Sequence, residues 1–330
     1  MRERAHPWSS LPGASAAQVQ PRPAAGQPPS IRTPPPVQQP GQTRVYSFFQ
    51  PWSLLKICGD PAETGEFYFV ALAFLEPSCS PLPLDVCVAS TQGEIGFLLQ
   101  QALDEALAIR GLSRPVATVL AQVAVARDDP AFARPTKPIG PFYSREEADA
   151  RRLAGWTLVE EPSRGFRRAV PSPEPVDIIE EPAIRALVDA GVIVITLGGG
   201  GIPVVRDGPR LLGAEAVVDK DLASALLAIR LRVDVFLICT DVDRIYLDFA
   251  TPQARGLGDV TAVELGRYAA AGHFPPGTMG PKVDAVLRFV AAGGRDAIVT
   301  SPECLATALH GQAGTRVRGH VSAGVERSVQ

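Results

Sequence analysis

Lysine is almost missing from this sequence. Of 32 lysines and arginines, four are lysines: Lys56, Lys137, Lys220 and Lys282. Cysteine is sparse too, five scattered residues without CxxC spacing, which speaks against a disulfide framework and against a zinc site. Four histidines, none adjacent to another, supply no metal cluster. No apolar run reaches the roughly 18 residues of a membrane span; residues 67–75 are the most tempting stretch and fall short. Positive charge is not in excess, the formal net charge being -3, so nothing marks a nucleic-acid surface. The Walker A pattern and a GxGxxG in the proper register, the two common nucleotide fingerprints, are also lacking. These absences point to a soluble protein of a reducing cytoplasm, with no expected metal ligands, membrane or nucleic-acid partner.

What is present divides by composition. Residues 1–42 are rich in Pro, Gln, Ala and Ser with few aliphatics, so they are expected to stay disordered. Residues 43–80 turn apolar and aromatic without a clear period and receive no assignment. From 81 to about 320 strands alternate with helices, the pattern of βαβ units around a mainly parallel sheet; residues 321–330 are read as a tail. Within this region 91–107 is expected to be a helix whose apolar side carries Ile95, Leu98, Leu99 and Leu103. Residues 116–125 are expected to form one strand, followed by a loop carrying Lys137. Ser144 with Glu147 forms a capping box, and 156–160 and 165–170 read as two strands of a small charged module with Arg167-Arg168 on a solvated face.

The chain is organised around residues 191–230. Residues 192–197 form a β-branched apolar run without polar alternation, as in a strand buried on both faces. Gly198, Gly199, Gly200 and Gly201 follow, where backbone N–H groups can approach a ligand or the chain can simply turn tightly. Asp219 reads as the N-cap of a helix with Leu222, Leu226 and Ile229 on one face, placing Lys220 in its first turn, where the dipole disfavours a cation. Lys282, after Pro281, opens a second helix. Helix N-termini attract anions, and an ammonium is a compact phosphate donor. Three lysines converging on a phosphoryl group is one reading; solvated surface lysines is the other. Asp219 and Asp221 both flank Lys220, and either could orient it. Residues 240–243 follow a second buried strand, where α/β sheets place a ligand crevice, although by spacing alone turn chemistry plus a cap is the more ordinary reading.

Together these segments resemble one family. The stretches PTKPIGPFY (135–143), GGGGIPV (198–204), AVVDKDLAS (216–224), TDVD (240–243) and GTMGPKV (277–283), in order, are similar to the carbamate kinases of the amino-acid kinase family, and the similarity runs over roughly residues 81–318. The resemblance implies a three-layer αβα sandwich around a mostly parallel sheet of about eight strands, with a protruding lid near 140–175. It implies a homodimer exchanging phosphate between ATP and carbamate, and, toward ATP, consuming carbamoyl phosphate in arginine catabolism. By motif, Lys137 reaches the phosphoryl group from the lid, Lys220 stabilises it, Asp221 orients the lysines and Lys282 holds nucleotide phosphate. Gly198, Gly199 and Gly200 belong to the phosphate cradle. Thr240, Asp241, Val242, Asp243, Tyr246 and Met279 line the nucleotide pocket, and Mg²⁺ rides on the phosphates with few protein ligands.

The family also carries a GGNAL-type and an HGNGPQ-type glycine loop near its start. Neither motif occurs in residues 1–80. Weak nucleotide binding and poor or no turnover are therefore expected, as in an impaired paralogue that keeps nucleotide binding or dimerisation. A different amino-acid kinase is the other alternative, disfavoured by the residues around Lys137.

Overall fold

Strands and helices alternate along the computed structural model, which describes residues 44–48, 82–161, 164–275 and 277–319. In chain order they are β1 (Arg44–Phe48), α1 (Leu84–Ile109), β2 (Val116–Val119), β3 (Gln122–Ala124), β4 (Lys137–Tyr143), α2 (Arg145–Leu153), β5 (Leu158–Glu161), β6 (Gly165–Val170), β7 (Asp177–Ile178) and α3 (Glu181–Asp189). After them come β8 (Ile193–Thr196), β9 (Ile202–Asp207), β10 (Arg210–Gly213), α4 (Lys220–Leu231), β11 (Val235–Cys239), β12 (Tyr246–Leu247), β13 (Arg255–Gly256) and β14 (Asp259–Thr261). The series closes with α5 (Ala262–Ala270), α6 (Met279–Ala291), β15 (Asp296–Thr300), α7 (Leu305–Leu309) and β16 (Thr315–Arg318). Lys56, the disorder expected of 1–42, most of the unassigned 43–80 and nearly all of the tail fall outside the described residues.

The central ladder has the order β1-β11-β15-β16-β14, parallel at β1–β11 and β11–β15. β11 is buried throughout, and its alternate residues serve two cores. Phe236 and Ile238 join Val283, Val286 and Phe289 of α6 and Ala225 and Ala228 of α4 on one face. Val235, Leu237 and Cys239 meet Ala308 of α7 on the other. Helices thus cover both faces, the αβα layering expected of a parallel sheet. A third core packs Ala223 and Leu227 of α4 against Val123, Leu197 and Val218. α4 is therefore packed on two sides, not along the single Leu222–Leu226–Ile229 stripe, and its small residues let both neighbours approach.

Several sequence expectations change in detail. The largest described ladder has five strands, and β2–β8 stands apart as a parallel pair. β8 is half-buried rather than covered on both faces; its one ladder partner among the described residues is β2. The strand expected over 116–125 breaks at Leu120-Ala121. There the Gln92 amide bonds both backbone groups of Ala121, Nε2 donating to its carbonyl and Oε1 accepting from its N–H, each at 3.1 Å. The Ala121 carbonyl also accepts from Ile202 N at 2.8 Å, so with Gln92 holding its N–H the chain leaves β2 here and enters a second sheet, β10-β9-β3-β7. α1 starts earlier than expected, at Leu84, and buries Leu84, Val88, Gln92 and Gly96, leaving Leu98 exposed. Its close approach to β2 needs Gly96, where a Cβ would lie 2.3 Å from Thr118 Cγ2.

The expected Lys137 loop is a strand. β4 pairs with β6, and β6 with β5, in an antiparallel three-stranded sheet beside α2. α2 carries the Ser144/Glu147 capping box, a device worth about 0.5–2 kcal/mol. Arg167 is not simply solvated: its Nε donates to Gly140 O at 2.9 Å, tying β6 to the irregular part of β4.

Candidate active site

Helices that lead into the parallel strands run against them, so the N-termini of α4 and α6 lie at the carboxyl edge of the central ladder, where α/β sheets hold ligands. Lys220 is the first residue of α4 and Lys282 lies in the first turn of α6. Two adjacent carboxylates organise them. Asp219 caps α4, its Oδ1 accepting the N–H groups of Asp221 at 2.9 Å and Leu222 at 3.4 Å. Its Oδ2 accepts from Lys137 Nζ at 2.9 Å. Asp221 Oδ2 accepts from Lys282 Nζ at 3.1 Å, with the two side chains only 3% and 2% exposed. Lys282 Nζ also donates to Thr278 O at 3.4 Å.

Electrostatics ties the three lysines together. Burial pushes the Lys220 ammonium below the ordinary lysine value; Lys282 and Lys137 push it the same way, against the pull of Asp221 and Asp219. For Asp219, burial raises the carboxyl, but Lys137, Lys220 and the Asp221 N–H outweigh it and hold it below the usual aspartate value. The cluster has three cations and two anions, one of which has a spare site: Asp221 Oδ1 is buried without a hydrogen-bond partner. The excess of one positive charge, rather than the spare carboxylate oxygen, is what suits an anion here.

The glycine run adjoins this cluster. Residues 198–200 form a 3-10 turn, and Leu197, Gly199, Gly200 and Gly201 all have positive φ. A Cβ at Gly200 would lie 2.2 Å from Val218 O and 3.3 Å from Lys220 N. Gly200 is therefore required by packing against the entry to α4. Gly199 has open space at the same position, where a ligand could meet bare backbone. Gly198 lies against the Gln92 side chain, 3.3 Å from its Cγ to a built Cβ.

The segment after β11 forms its own network. Thr240 is buried, its N–H donating to Thr300 O at 2.9 Å and its hydroxyl to Asp241 Oδ1 at 3.0 Å. Asp243 accepts from Tyr246 OH at 2.7 Å and Arg244 Nε at 2.8 Å, and these bonds, the tyrosine's foremost, hold its carboxyl below the usual value. Val242 is half-buried between the two aspartates. Met279 opens α6 and packs against the core of β11 and β15. The structure thus joins Lys137, Lys220, Asp221, Lys282 and Gly200 through described contacts. Residues 240–246 and Met279 share their sheet edge, but the hydrogen bonds described for 240–246 stay within the segment or reach Thr300, Thr315 and Leu257, with Tyr246 paired to Gly256.

Sequence reasoning missed Gln92, which fixes the β2–β3 break beside the glycine turn. It also missed Glu174, whose carboxylate is gripped by Arg288 Nη1 at 2.6 Å and Nη2 at 3.1 Å while its N–H donates to Asp129 Oδ2 at 3.0 Å. That contact ties α6 to both connections of the small module.

The family model for the amino acid kinase family matches residues 132–301. The carbamate kinase of Thermococcus kodakarensis is 48% identical over 238 residues, 71% of this chain and 75% of that protein. The carbamate kinase-like protein YahI of Escherichia coli is 49% identical over the same shares. Among solved structures, a carbamate kinase from Giardia lamblia bound to AMP-PNP superposes with a TM-score of 0.74 at 32% identity, covering 85% of this chain and 99% of that one. With motifs in order, helices on both faces of a sheet parallel at its centre, and relatives matched over three quarters of their length, the chain belongs to the amino acid kinase family, among the carbamate kinases.

Proposed function

We propose that this chain is a carbamate kinase-like phosphotransferase, exchanging a phosphoryl group between ATP and carbamate and, toward ATP, consuming carbamoyl phosphate as in arginine catabolism. The observation that carries the reading is the convergence of Lys137, Lys220 and Lys282 on the adjacent Asp219 and Asp221, beside Gly200. Phosphoryl transfer asks little covalent chemistry of a protein; it asks for positioning and charge neutralisation. Lys220, half-buried with its ammonium pushed below the ordinary value, gains most from an anion and stabilises the moving phosphoryl group. Lys137 approaches it from the small module. Lys282, held by Asp221, binds nucleotide phosphate, and the turn of Gly198, Gly199 and Gly200 offers backbone donors. Thr240, Asp241, Val242, Asp243, Tyr246 and Met279 line the nucleotide pocket; that the Giardia relative is bound to AMP-PNP supports a nucleotide ligand.

Mg²⁺ fits here as a passenger of the nucleotide. Among the described residues no group of three His, Cys, Asp or Glu is placed to hold a metal, and Asp219 is engaged by Lys137 and helix N–H groups. When bound, the ion neutralises charge on the phosphate oxygens. The family likeness supports a cytoplasmic homodimer.

The test is ATP formation from ADP and carbamoyl phosphate with Mg²⁺, comparing the chain with Lys220→Ala and Lys282→Ala. Weak nucleotide binding and slow turnover are expected, lost in both variants. Residues 1–80 lack the GGNAL and HGNGPQ loops, and losing one preorganised donor typically costs about 10²–10³ in rate. Fast turnover would overturn the impairment, and nucleotide binding indifferent to both substitutions would overturn the site.

A further inference from the structure

We propose that Asp219 is a positioning residue that fixes the module-borne Lys137 over the N-terminus of α4, its two carboxylate oxygens doing separate jobs. The inference deepens the functional reading above and rests on it for its catalytic arm.

The geometry separates the jobs cleanly. Oδ1 faces the helix and accepts the N–H groups of Asp221 and Leu222. Oδ2 faces away from it and accepts from Lys137 Nζ at 2.9 Å. Lys137 is the first residue of β4, so its backbone belongs to the β4-β6-β5 sheet while its ammonium belongs to α4. The approach of Asp219 is braced from the same side. Val217 N donates to Pro171 O at 2.9 Å, and Val217 packs with Leu84 and Val170 against Ile139, two residues beyond Lys137. Asp219 therefore ends a segment already packed on the base of the module. The ion pair is partly shielded, with side chains 24% and 19% exposed. A cap alone would need only Oδ1, as serine and threonine caps show. The second oxygen aligns the ammonium with the Lys220 end of the helix, where a phosphoryl group must meet both.

Asparagine separates the two jobs. Asp219→Asn keeps an Oδ1 acceptor, and asparagine caps as well as aspartate; the Nδ2 that replaces Oδ2 cannot accept from an ammonium. Asp219→Ala loses both. The first readout needs no turnover. With four lysines in the chain, limited acetylation followed by peptide mass spectrometry reports each one. Asp219→Asn should raise Lys137 labelling several-fold, leave Lys282 unchanged and melt only slightly lower than the wild type through the lost ion pair, while Asp219→Ala, which also loses the cap, should raise labelling and melt lower still.

The second readout is ATP formation from ADP and carbamoyl phosphate. Asp219→Asn should lower kcat, by on the order of 10² if misplacement is near an ångström, with KM for ADP unchanged. Combined with Lys137→Met it should cost no more than the larger single change, as coupled residues do. Unchanged Lys137 labelling in Asp219→Asn, or multiplying effects in the double variant, overturns the proposal. If the wild type shows no turnover, the functional reading fails while the labelling contrast still decides the positioning of Lys137.

Discussion

Replacing Lys282 by methionine keeps an unbranched apolar stem of similar length and deletes one charge from the interior. In the wild type, Lys282 and Asp221 are 2% and 3% exposed and joined at 3.1 Å. In the variant, Asp221 Oδ2 loses that bond, and its Oδ1 already lacks a hydrogen-bond partner. Breaking a buried pair by removing one member costs about 3–5 kcal/mol. Lys220 still faces the carboxylate and offsets part of the loss, which argues for the lower end of that range. A domain holds about 5–15 kcal/mol in total, so the loss is large without abolishing the fold. At roughly 2–4 °C per kcal/mol for a chain of this size, the melting temperature should fall by about 6–12 °C. Thermal and urea unfolding, followed by circular dichroism, measure it. Lys282→Met/Asp221→Leu removes both charges and should recover part of the deficit, though it leaves Lys220 less compensated. A single-variant loss below about 1 kcal/mol, or a double variant equal to the sum of the singles, would refute the buried-pair account.

Lys220 should behave oppositely. Its folded value lies below the ordinary one, so between that value and about 10.4 in the unfolded chain the unfolded state holds more protons and stability rises with pH. Lys220→Met should accordingly melt no lower than the wild type at pH 7 while losing the thermal shift produced by an ATP analogue; a lower melting temperature without ligand would contradict the cause assigned here. Gly200→Ala should be far more damaging than Gly199→Ala in stability and turnover, since only the former drives a Cβ into Val218 O; equal effects would mean that conformational strain alone governs the turn. Burial pushes the Cys239 thiol up to about 12, so at pH 8 a thiol reagent should modify the partly exposed Cys304 before Cys239, and mass spectrometry of the labelled peptides would show the reverse order if the β11 core were open.

Much of the site was legible because it lies on regular elements. Asp219 announces itself as a cap, Lys220 and Lys282 stand where helix patterns begin, and the glycines follow an apolar run. Lys137 was harder to place. Pro135, Pro138 and Pro141 each lack an N–H, so the stretch reads as a loop; it becomes a strand because β6 supplies a partner whose register shifts between Ile139 and Tyr143. Gln92 lies in a stretch that extends the family resemblance but gave no signal of its structural role. A glutamine in a helix looks solvated until the fold brings Ala121 to it, 29 residues away. The Glu174–Arg288 fork spans 114 residues, and nothing local to either residue encodes it. Residues 44–48 carry too short a pattern to be assigned, yet they pair with β11 from Arg44 opposite Val235 to Phe48 opposite Cys239.

α4 bears on cooperativity as well as on charge. Ala225 and Ala228 belong to the core of β11 and α6, while Ala223 and Leu227 belong to the core of β3 and Leu197. Neither core can open fully while the helix stays docked on the other. The two halves thus share one melting unit, and local opening, which many enzymes confine to loops, is denied to the helix that presents Lys220. An anion held at its first turn therefore tightens both halves at once, and a residue enlarged on either side of α4 is felt by the half it does not touch.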